Sequence, residues 1–306
     1  MKLSVVVPAY NERGNIPLFM EKVESMRRGV DFEVEVIVVD DGSEDGTYEE
    51  VSSLLPKYPY LRIIRHSRNL GLTAALDTGF SVATGDILAF YPADLQYDPE
   101  EIPRLVEKLR SGYDIVAGWK QGKYEKAFVS WVYNRIAARL FGLKIHDLNS
   151  VKVFKREVYE RFVMRQDWHR YLIPLAVNAG FTVGEEKVTL YPRKYGKSKF
   201  KGPGRAIVGL LDLISVKFML SFVKKPMLLF GTAGLSLSLL AFVIGVIALY
   251  FRFVLNKGYR PIAYLVILLF LSGLLLFAIG FIAELLATVL HRIESIDIHL
   301  KRKNSK

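Results

Sequence analysis

The residues in this sequence best suited to hold a metal ion lie directly after one short apolar stretch. The run Ile87 to Tyr91 predicts a buried strand, and after a turn at Pro92 the chain presents Asp94 and Gln96. A carboxylate and an amide this close in sequence offer the oxygen ligands that Mg²⁺ binds, usually together with substrate phosphates. The same stretch also fits a polar turn in which Asp98 caps the next helix, because Asp-Pro-Glu-Glu is a good helix start.

Acidic and polar residues also follow the first three predicted strands. They are Asn11 and Glu12 after the first strand, Asp40 and Asp41 after the second, and Arg68 and Asn69 after the third. In a doubly wound sheet the carboxyl ends of the strands lie at one edge, and ligands bind there. We therefore expect these side chains to lie near Asp94, where carboxylates can accept hydrogen bonds from a base imino group and from ribose hydroxyls. Taken one at a time, each residue also fits a turn or a helix cap.

Alternating strand and helix patterns position these residues. The predicted strands cover residues 3–8, 34–39, 61–64, 87–91, 115–118, 151–154 and 183–191. Helical spacing of apolar residues predicts helices at 16–26, 47–55, 72–83, 102–109, 127–141, 156–165 and 171–179. This alternation predicts an α/β fold with a mostly parallel, doubly wound sheet. A basic, glycine-containing loop follows at residues 192–204.

The C-terminal part of the sequence contains two long stretches without charge. Neither Pro226 to Phe251 nor Pro261 to Ala283 contains a charged residue. At about 1.5 Å per residue each stretch would form a helix roughly 35 Å or more long, enough to cross a hydrocarbon core of about 30 Å. We expect two antiparallel transmembrane helices, at about 226–251 and 261–285, within a membrane region of residues 226–290. Residues 205–225 carry an apolar face interrupted by charge, which predicts amphipathic helices in the membrane interface.

The distribution of basic residues predicts the orientation of this hairpin. Lysines precede it at positions 217, 224 and 225, and a basic tail of residues 291–306 follows it. Cytoplasmic flanks of membrane helices carry such an excess of lysine and arginine. Residues 3–8 are too short an apolar run for a signal peptide, and polar residues follow at once. We therefore expect a multi-pass protein of the cell (plasma) membrane, with a folded domain of residues 1–204 and the tail both in the cytoplasm.

Composition argues against several classes of function. The net charge of +11 is concentrated next to the predicted membrane helices, and no nucleic-acid-binding module is recognisable, so nucleic acid is not an expected partner. The absence of cysteine excludes thiol catalysis, cysteine-ligated zinc and disulfides. Gly196-Lys197-Ser198 resembles the end of a P-loop, but Tyr191 stands where that motif needs glycine. No Gly-x-Gly-x-x-Gly follows either of the first two strands, which argues against a dinucleotide oxidoreductase.

Several short segments between residues 3 and 200 form a recognisable set. They are Val5-Val6-Val7-Pro8-Ala9-Tyr10-Asn11-Glu12, Val38-Val39-Asp40-Asp41-Gly42-Ser43, Arg68-Asn69-Leu70-Gly71, Ala93-Asp94-Leu95-Gln96, Gly112-Tyr113-Asp114-Ile115-Val116-Ala117-Gly118-Trp119-Lys120, His146-Asp147-Leu148-Asn149-Ser150 and Arg193-Lys194-Tyr195-Gly196-Lys197-Ser198-Lys199. Together they resemble the family-2 glycosyltransferases. The resemblance is greatest to the polyprenyl-phosphate branch, which includes dolichyl-phosphate mannose synthases and bacterial undecaprenyl-phosphate glycosyltransferases. The membrane hairpin suits that branch too.

The resemblance implies a GT-A fold and inverting transfer of a sugar from a nucleotide-sugar donor (a UDP- or GDP-sugar) to a membrane polyprenyl phosphate. It also implies a divalent metal, Mg²⁺ or Mn²⁺. For the donor and the metal, the matching positions are Pro8, Tyr10, Glu12, Asp40, Asp41 and Asn69 for the nucleotide, Asp94 and Gln96 for the metal and diphosphate, and Arg193 and Ser198 in the stretch that folds over the diphosphate. For the catalytic region and the acceptor, they are Asp147 as a carboxylate facing the sugar, and Lys120, Lys126 and Ser130 for the acceptor phosphate.

The sequence departs from the family pattern at Pro92. The family usually has Asp-x-Asp-x-Gln, and Pro92 occupies the first aspartate position here. This departure leaves open a non-catalytic protein that binds a nucleotide sugar or a lipid phosphate, and Asp98 is a candidate to compensate for the missing carboxylate. An enzyme with another lipid acceptor, such as a diacylglycerol or a ceramide, is a further alternative.

The remaining notable polar residues are expected at surfaces or interfaces. His66 has no partner at metal-ligand spacing and is expected to be solvated, while His169 and Arg170 are expected to form a surface pair or to contact substrate. Glu284, near the end of the second apolar stretch, is expected at the membrane interface. Apolar and polar residues alternate from Ile296 to Leu300, which is compatible with a tail strand that pairs with a sheet edge in a homo-oligomer.

Overall fold

A computed structural model describes residues 1–122, 127–162, 168–193, 211, 213–218, 220, 225–258 and 260–304 of the chain. The chain divides into two compact units, one formed mainly by the residues up to 210 and one by residues 211–297. The first unit is built on a β-sheet, and the second is built on two long helices.

The strands of the first unit are β1 (Lys2–Ala9), β2 (Glu33–Asp40), β3 (Leu61–Arg65), β4 (Ile87–Phe90), β5 (Ile115–Gln121), β6 (Lys152–Lys155) and β7 (Val183–Thr189). Within the described residues they form one seven-stranded sheet in the order β3-β2-β1-β4-β6-β5-β7. Neighbouring strands are parallel, except that β6 runs antiparallel to both β4 and β5. The predicted α/β fold with a mostly parallel sheet is confirmed.

The helices of this unit are α1 (Asn15–Arg28), α2 (Thr47–Leu54), α3 (Leu72–Val82), α4 (Ile102–Arg110), α5 (Ala127–Phe141), α6 (Arg156–Glu160) and α7 (Leu172–Asn178). Short 3-10 helices at Pro99–Glu101 and Trp168–Tyr171 precede α4 and α7. Most bounds agree with the predicted ones to within a few residues. The predicted helix 156–165 is shorter, because α6 ends at Glu160, and residues 163–165 of the predicted range lie outside the described residues.

β1 is apolar on both faces because helices cover both sides of the sheet. Val5 and Val7 are fully buried in a core that includes Phe19 of α1. Val6 faces the other side, where Gly79 of α3 packs so closely that an added Cβ would lie 2.3 Å from a Val6 methyl carbon. Burial on both faces is typical of parallel strands. It holds the carboxyl ends of β1, β2 and β4 at one edge of the sheet.

The second unit contains α8 (Pro226–Phe253) and most of α9 (Arg260–Asn304). Both helices are long and apolar enough to cross a membrane, over Pro226–Phe253 and Arg260–Ile293. They pack as a pair at glycines, and an added Cβ on Gly234 would lie 2.5 Å from the carbonyl oxygen of Gly273. Small residues that let helix backbones approach closely are the usual contact between membrane helices.

Glu284 connects the two helices by a specific hydrogen bond. Its Oε2 accepts the backbone N–H of Met227, 3.1 Å away, and so satisfies one of the free N–H groups at the beginning of α8. Glu284 is thus a helix-capping residue within the hairpin, which the sequence did not indicate. α9 continues to Asn304, so residues 296–300 are helical and the prediction of a tail strand is wrong. Of the predicted interfacial helices at 205–225, the structure describes 211, 213–218, 220 and 225, and residues 213–218 are helical.

Candidate active site

The loops that leave β1 and β2 are tied together at the carboxyl edge of the sheet. The backbone N–H of Asn11 donates to Ser43 Oγ at 2.9 Å, and that of Glu12 donates to Thr47 Oγ1 at 3.0 Å. Asn11 in turn accepts the backbone N–H of Glu44 through its side-chain oxygen at 3.0 Å. These hydrogen bonds bring the end of β1, with Glu12, against the end of β2.

Asp40 ends β2 with a carboxylate that is fully buried. Its Oδ1 accepts the backbone N–H of Ser43 at 3.1 Å. Its Oδ2 lies 3.2 Å from Nε of Arg65, at the end of β3, but makes no hydrogen bond within the described residues. The contact with Arg65 is therefore an ion pair without hydrogen-bond alignment, and Oδ2 keeps its capacity to accept a hydrogen bond.

The carboxylate of Asp41 holds the loop that follows β3. It accepts the backbone N–H groups of Leu70 at 2.9 Å and Gly71 at 2.8 Å. The same carboxylate contacts Nδ1 of His66 at 2.7 Å, while Nε2 of His66 lies 3.0 Å from Thr78 Oγ1. The prediction that His66 is solvated is wrong, because both ring nitrogens are engaged. Asp41 thus shapes the loop that carries the predicted nucleotide-binding residue Asn69.

A cavity of about 590 Å³ opens between the loops after β1, β2 and β3. Its lining residues are Tyr10, Gly42, Ser43, Glu44, Arg65, His66, Ser67, Arg68 and Asn69. Gly42 is required there, since its φ is +72° and an added Cβ would lie 2.6 Å from the carbonyl carbon of Arg68. The volume lies in the range of small-molecule sites, roughly 300–1,000 Å³. Of the predicted nucleotide-binding residues, Tyr10 and Asn69 line this cavity.

Asp94 and Gln96, after β4, converge on one cationic side chain. Asp94 is buried, and its Oδ2 lies 2.8 Å from Nη2 of Arg193. The Oε1 of Gln96 accepts from Nε of the same guanidinium at 3.1 Å. Leu95 between them has φ +55°, an uncommon conformation for a non-glycine residue. The structure therefore brings together three residues predicted from separate segments, Asp94, Gln96 and Arg193.

Asp94 and Gln96 fit a divalent metal, because their oxygens already point at one positive group. No cluster of three His, Cys, Asp or Glu side chains among the described residues is arranged to hold a metal. Asp98 does not replace the carboxylate missing at Pro92, because it caps the following 3-10 helix by accepting the N–H of Glu100 at 3.1 Å and pairs with Lys22. The cap interpretation of Asp98 is confirmed. The described residues near this site would give a metal one carboxylate and one amide oxygen, and substrate phosphates and water commonly complete such a set.

Asp147 is a second buried carboxylate, in the loop before β6. Its Oδ2 pairs with Lys120 Nζ at 3.1 Å, and its Oδ1 accepts the backbone N–H of Asn149 at 2.9 Å. Asn134 Nδ2 lies 3.4 Å from Asp147 Oδ1 and also 3.4 Å from Ser130 Oγ. The predicted acceptor residues Lys120 and Ser130 are therefore grouped around Asp147. Two other predicted residues, Lys126 and Ser198, lie outside the described residues.

Glu185 of β7 fixes the backbone of this loop. Its Oε1 accepts the backbone N–H of Asp147 at 3.1 Å, and its Oε2 lies 2.8 Å from Nδ1 of His146. The imidazole of His146 in turn stacks on the ring of Trp119, with centroids 3.9 Å apart. This support was not predictable from the sequence, because Glu185 lies 38 residues from Asp147 along the chain.

Lys152 is a fully buried lysine that sequence reasoning missed. It begins β6 opposite Phe90 of β4, and its ammonium lies 5.9 Å from the centre of the Phe90 ring. It donates one hydrogen bond, to the carbonyl oxygen of Ser150 at 2.8 Å. Burial lowers the pKa of Lys152 to about 7, an effect opposed by the negative charge of Asp147 and reinforced by Lys120. The titratable amine of Lys152 therefore lies between the end of β4 and the Asp147 loop.

His169 is largely buried and is held as a neutral imidazole. Its Nδ1 lies 2.7 Å from Thr73 Oγ1, in the first turn of α3. Burial lowers the pKa of His169 to about 3, and the positive charges of Arg170 and Lys152 lower it further. His169 is therefore not part of a surface pair, and its described hydrogen bond is to the protein.

Comparison with known proteins gives consistent matches over most of the chain. The profile of the family described as "Glycosyl transferase family 2" matches residues 4–173. A dodecaprenyl-phosphate galacturonate synthase of Rhizobium johnstonii is 32% identical over 99% of this chain and 93% of its own length. A dolichol-phosphate mannosyltransferase of Pyrococcus furiosus is 33% identical over 66% of this chain and 60% of its own. An undecaprenyl-phosphate 4-deoxy-4-formamido-L-arabinose transferase of Pseudomonas syringae is 27% identical over 84% of this chain and 76% of its own.

Solved structures share this fold over about 70% of the chain. Glucosyl-3-phosphoglycerate synthase from Mycobacterium tuberculosis, in complex with Mn²⁺, UDP and phosphoglyceric acid, superposes with a TM-score of 0.55. That match covers 69% of this chain and 78% of the synthase, at 21% identity. The same synthase in complex with Mg²⁺ and UDP gives a TM-score of 0.55 at 20% identity, over 70% of this chain and 79% of the synthase.

Proposed function

Because this chain belongs to the family-2 glycosyltransferases, we propose that it transfers a sugar from a nucleotide-sugar donor to a polyprenyl phosphate, with inversion at the anomeric carbon. The observation that carries this proposal is the convergence of Asp94, Gln96 and Arg193 at the carboxyl end of β4. The acceptor class is supported by relatives whose names specify dodecaprenyl, dolichol and undecaprenyl phosphate, the first of them matched over 99% of this chain.

The donor nucleotide is assigned to the cavity between the loops after β1, β2 and β3. Tyr10 and Asn69 line this cavity, and Asp40 contacts two other lining residues, Ser43 and Arg65. Asp40 Oδ2 accepts no hydrogen bond within the described residues and is suited to accept one from a base imino group. Pro8 and Glu12 belong to the β1 end that borders the same region. Asp41 contributes indirectly, because its carboxylate holds the loop of Asn69.

The diphosphate is assigned to the end of β4. Asp94 and Gln96 would hold a divalent metal, Mg²⁺ or Mn²⁺, and that ion would neutralise negative charge that develops on the leaving nucleoside diphosphate. Arg193 is placed to contribute a positive charge to the same group, and we assign Ser198 to its other side by resemblance. Fixed positive charge at a leaving group is among the largest contributions to catalysis of group transfer.

The acceptor phosphate is assigned to the region around Asp147. A phosphate monoester has a second pKa near 6, so at neutral pH it is already largely a dianion and needs positioning more than deprotonation. Lys120 and Ser130 are placed to orient it, with Lys126 as a further cation by resemblance. An acceptor oxygen forms the bond to the anomeric carbon, while the bond from that carbon to the diphosphate oxygen breaks and its electron pair leaves with the nucleoside diphosphate. By resemblance, we assign Asp147 as the carboxylate that faces the sugar during this displacement.

The two long helices support a membrane-bound enzyme acting on a lipid. We propose that α8 and α9 span the cell membrane over residues 226–290, with residues 1–204 as a catalytic domain in the cytoplasm. Residues 205–225 would lie in the membrane interface, and the basic tail of residues 291–306 would lie on the same side as the catalytic domain. This arrangement places basic residues beside an anionic leaflet, where each contributes about 1 kcal/mol of attraction.

The experiment is a transfer assay with purified protein in lipid nanodiscs. The purified protein is incubated with Mn²⁺, a phosphorylated isoprenoid and a panel of UDP- and GDP-sugars, and the mass of the product lipid is measured. We expect one sugar to be added to the polyprenyl phosphate, in the wild type and in Asp31→Asn, whose carboxylate lies on the exposed surface. Asp94→Asn should give no product.

Two other outcomes would change the assignment. A donor that binds without hydrolysis or transfer would favour a non-catalytic binding protein. That alternative is suggested by Pro92, which occupies the position of the usual first aspartate. Transfer to a diacylglycerol or ceramide, and not to the isoprenoid phosphate, would contradict the proposed acceptor.

A further inference from the structure

The oxygens proposed to hold the metal are already bound by a cation of the protein itself. Nη2 of Arg193 lies 2.8 Å from Asp94 Oδ2, and Nε of the same guanidinium lies 3.1 Å from Gln96 Oε1. These are two adjacent N–H donors on one edge of the guanidinium, each directed at a different side chain. Such paired, charge-assisted hydrogen bonds are among the stronger ones in proteins.

Burial makes this counter-charge necessary for Asp94. The side chain of Asp94 is 10% exposed and that of Arg193 is 23% exposed, so the pair is largely shielded from water. A nearly buried carboxylate without a positive partner would be costly, because its hydration is lost and nothing replaces it. Any cation that binds to Asp94 must therefore take over the role that Arg193 fills.

The backbone before Arg193 is anchored to the same loop. The N–H of Tyr191 donates to the carbonyl oxygen of Gln96 at 2.8 Å, and the N–H of Leu190 donates to that of Gln121 at 3.0 Å. The first bond holds the segment after β7 against the loop after β4, and the second holds it against the end of β5. Arg193 is thus kept within reach of this site even when its side chain changes partner.

We propose that Arg193 is an internal cation that competes with the divalent metal for Asp94 and Gln96, so that metal and nucleoside diphosphate bind together rather than separately. This inference rests on the proposed function. Metal alone must displace the guanidinium from both oxygens. Metal that arrives with a diphosphate also supplies an anion to which the displaced guanidinium can bind, which offsets part of the cost of the exchange.

The competition has a measurable consequence for affinity. Metal and nucleoside diphosphate should each strengthen the binding of the other, and by linkage the two factors must be equal. Coupling between sites in proteins is typically about 5- to 150-fold. Removing the guanidinium should therefore tighten the binding of metal alone and reduce the coupling.

The test measures Mn²⁺ binding by electron paramagnetic resonance, on purified full-length protein, without nucleotide and with UDP or GDP. Arg193→Gln removes the charge and keeps a polar side chain. Arg110→Gln is the matched control, because that guanidinium pairs with the exposed Asp31 on the surface. We expect Arg193→Gln to bind Mn²⁺ alone at least about 5-fold more tightly than the wild type, with coupling to UDP or GDP reduced by a similar factor. Arg110→Gln should match the wild type.

The outcomes separate this inference from the proposed function. Affinity for Mn²⁺ alone that is unchanged, weaker or undetectable in Arg193→Gln overturns the competition. If Asp94→Asn still abolishes Mn²⁺ binding in the presence of UDP or GDP, the proposed metal site stands and only the role of Arg193 fails. If Asp94→Asn binds Mn²⁺ as the wild type does, the metal is not at Asp94, and both proposals fail. Melting temperatures of the three variants identify any loss of folding.

Discussion

Replacing Lys152 with methionine should change the way stability depends on pH. The pKa of Lys152 is about 7 in the folded protein, against 10.5 for an unperturbed lysine. Between these values the unfolded chain holds a proton that the folded protein has released, so the wild type gains stability as pH rises. Below pH 7 both states are protonated and this group adds no pH dependence. The slope is about 1.4 kcal/mol per pH unit, or about 4 kcal/mol from pH 7 to pH 10.

The assay compares unfolding free energies of Lys152→Met and the wild type in detergent from pH 6 to pH 10. Methionine has a similar length and no charge, so the unfolding free energy of the variant, relative to that of the wild type, should be greatest at pH 6 to 7. This difference should then fall by about 1.4 kcal/mol per pH unit as pH rises. The control is Lys155→Met on the same strand, whose side chain is 44% exposed and pairs with Asp114. A wild-type-minus-variant difference that stays flat from pH 7 to pH 10 for Lys152→Met would refute the reasoning.

Three further substitutions test the supports of the site. Asp41→Asn removes a charged acceptor of two backbone N–H groups, so thermal unfolding should show a loss of roughly 1.5–3 kcal/mol of stability. Transfer kinetics should show a higher KM for the donor. An unchanged KM would contradict a role of Asp41 in shaping the donor site. Gly79→Ala places a Cβ 2.3 Å from a methyl carbon of Val6, so it should lower the unfolding free energy by about 1–3 kcal/mol and with it the melting temperature. An unchanged melting temperature would show that α3 can shift to make room for the methyl group. Glu185→Ala removes the acceptor for the backbone N–H of Asp147, so it should lower kcat about tenfold or more with a smaller effect on KM. The reason is that a displacement of about 1 Å at a reacting group can reduce the rate by that factor. An effect confined to stability would argue for a purely structural role of Glu185.

The fold was predictable because its signals are local. Each strand is a short apolar run and each helix has apolar residues at helical spacing, so alternation alone indicated a parallel α/β sheet. The place of β6 was not predictable, since Lys152–Lys155 pairs antiparallel with both β4 and β5 through contacts far apart in sequence. Strand order depends on such long-range pairing rather than on the pattern of any one segment.

The presence of acidic residues at the carboxyl edge of the sheet was predictable from the sequence, but the contacts that each of them makes were not. Asp40 and Asp41 are adjacent and look equivalent in the sequence. Their roles differ because Asp40 is the last residue of β2, whereas Asp41 lies in the loop that follows it. Asp41 accepts the N–H groups of Leu70 and Gly71, while Asp40 Oδ2 pairs with Arg65 and accepts no hydrogen bond within the described residues. The direct contact between Gln96 and Arg193 joins residues 97 positions apart, which no local pattern encodes.

Several polar residues were misjudged because their burial is set by distant partners. His66 is covered by Asp41 and Thr78, and His169 is held by Thr73, 96 residues earlier in the chain. Lys152 and Lys155 flank two apolar residues in the short strand β6, and lysines are usually exposed. Lys152 is buried because β6 lies between two other strands.

The most direct measurement is the release of nucleoside diphosphate by the purified protein, followed over time with and without polyprenyl phosphate. The account predicts release that requires both the lipid phosphate and a divalent metal, and that is abolished by Asp94→Ala and by EDTA. Full activity of Asp94→Ala, or release undiminished by EDTA, would contradict the proposal that a metal held at the end of β4 carries the diphosphate.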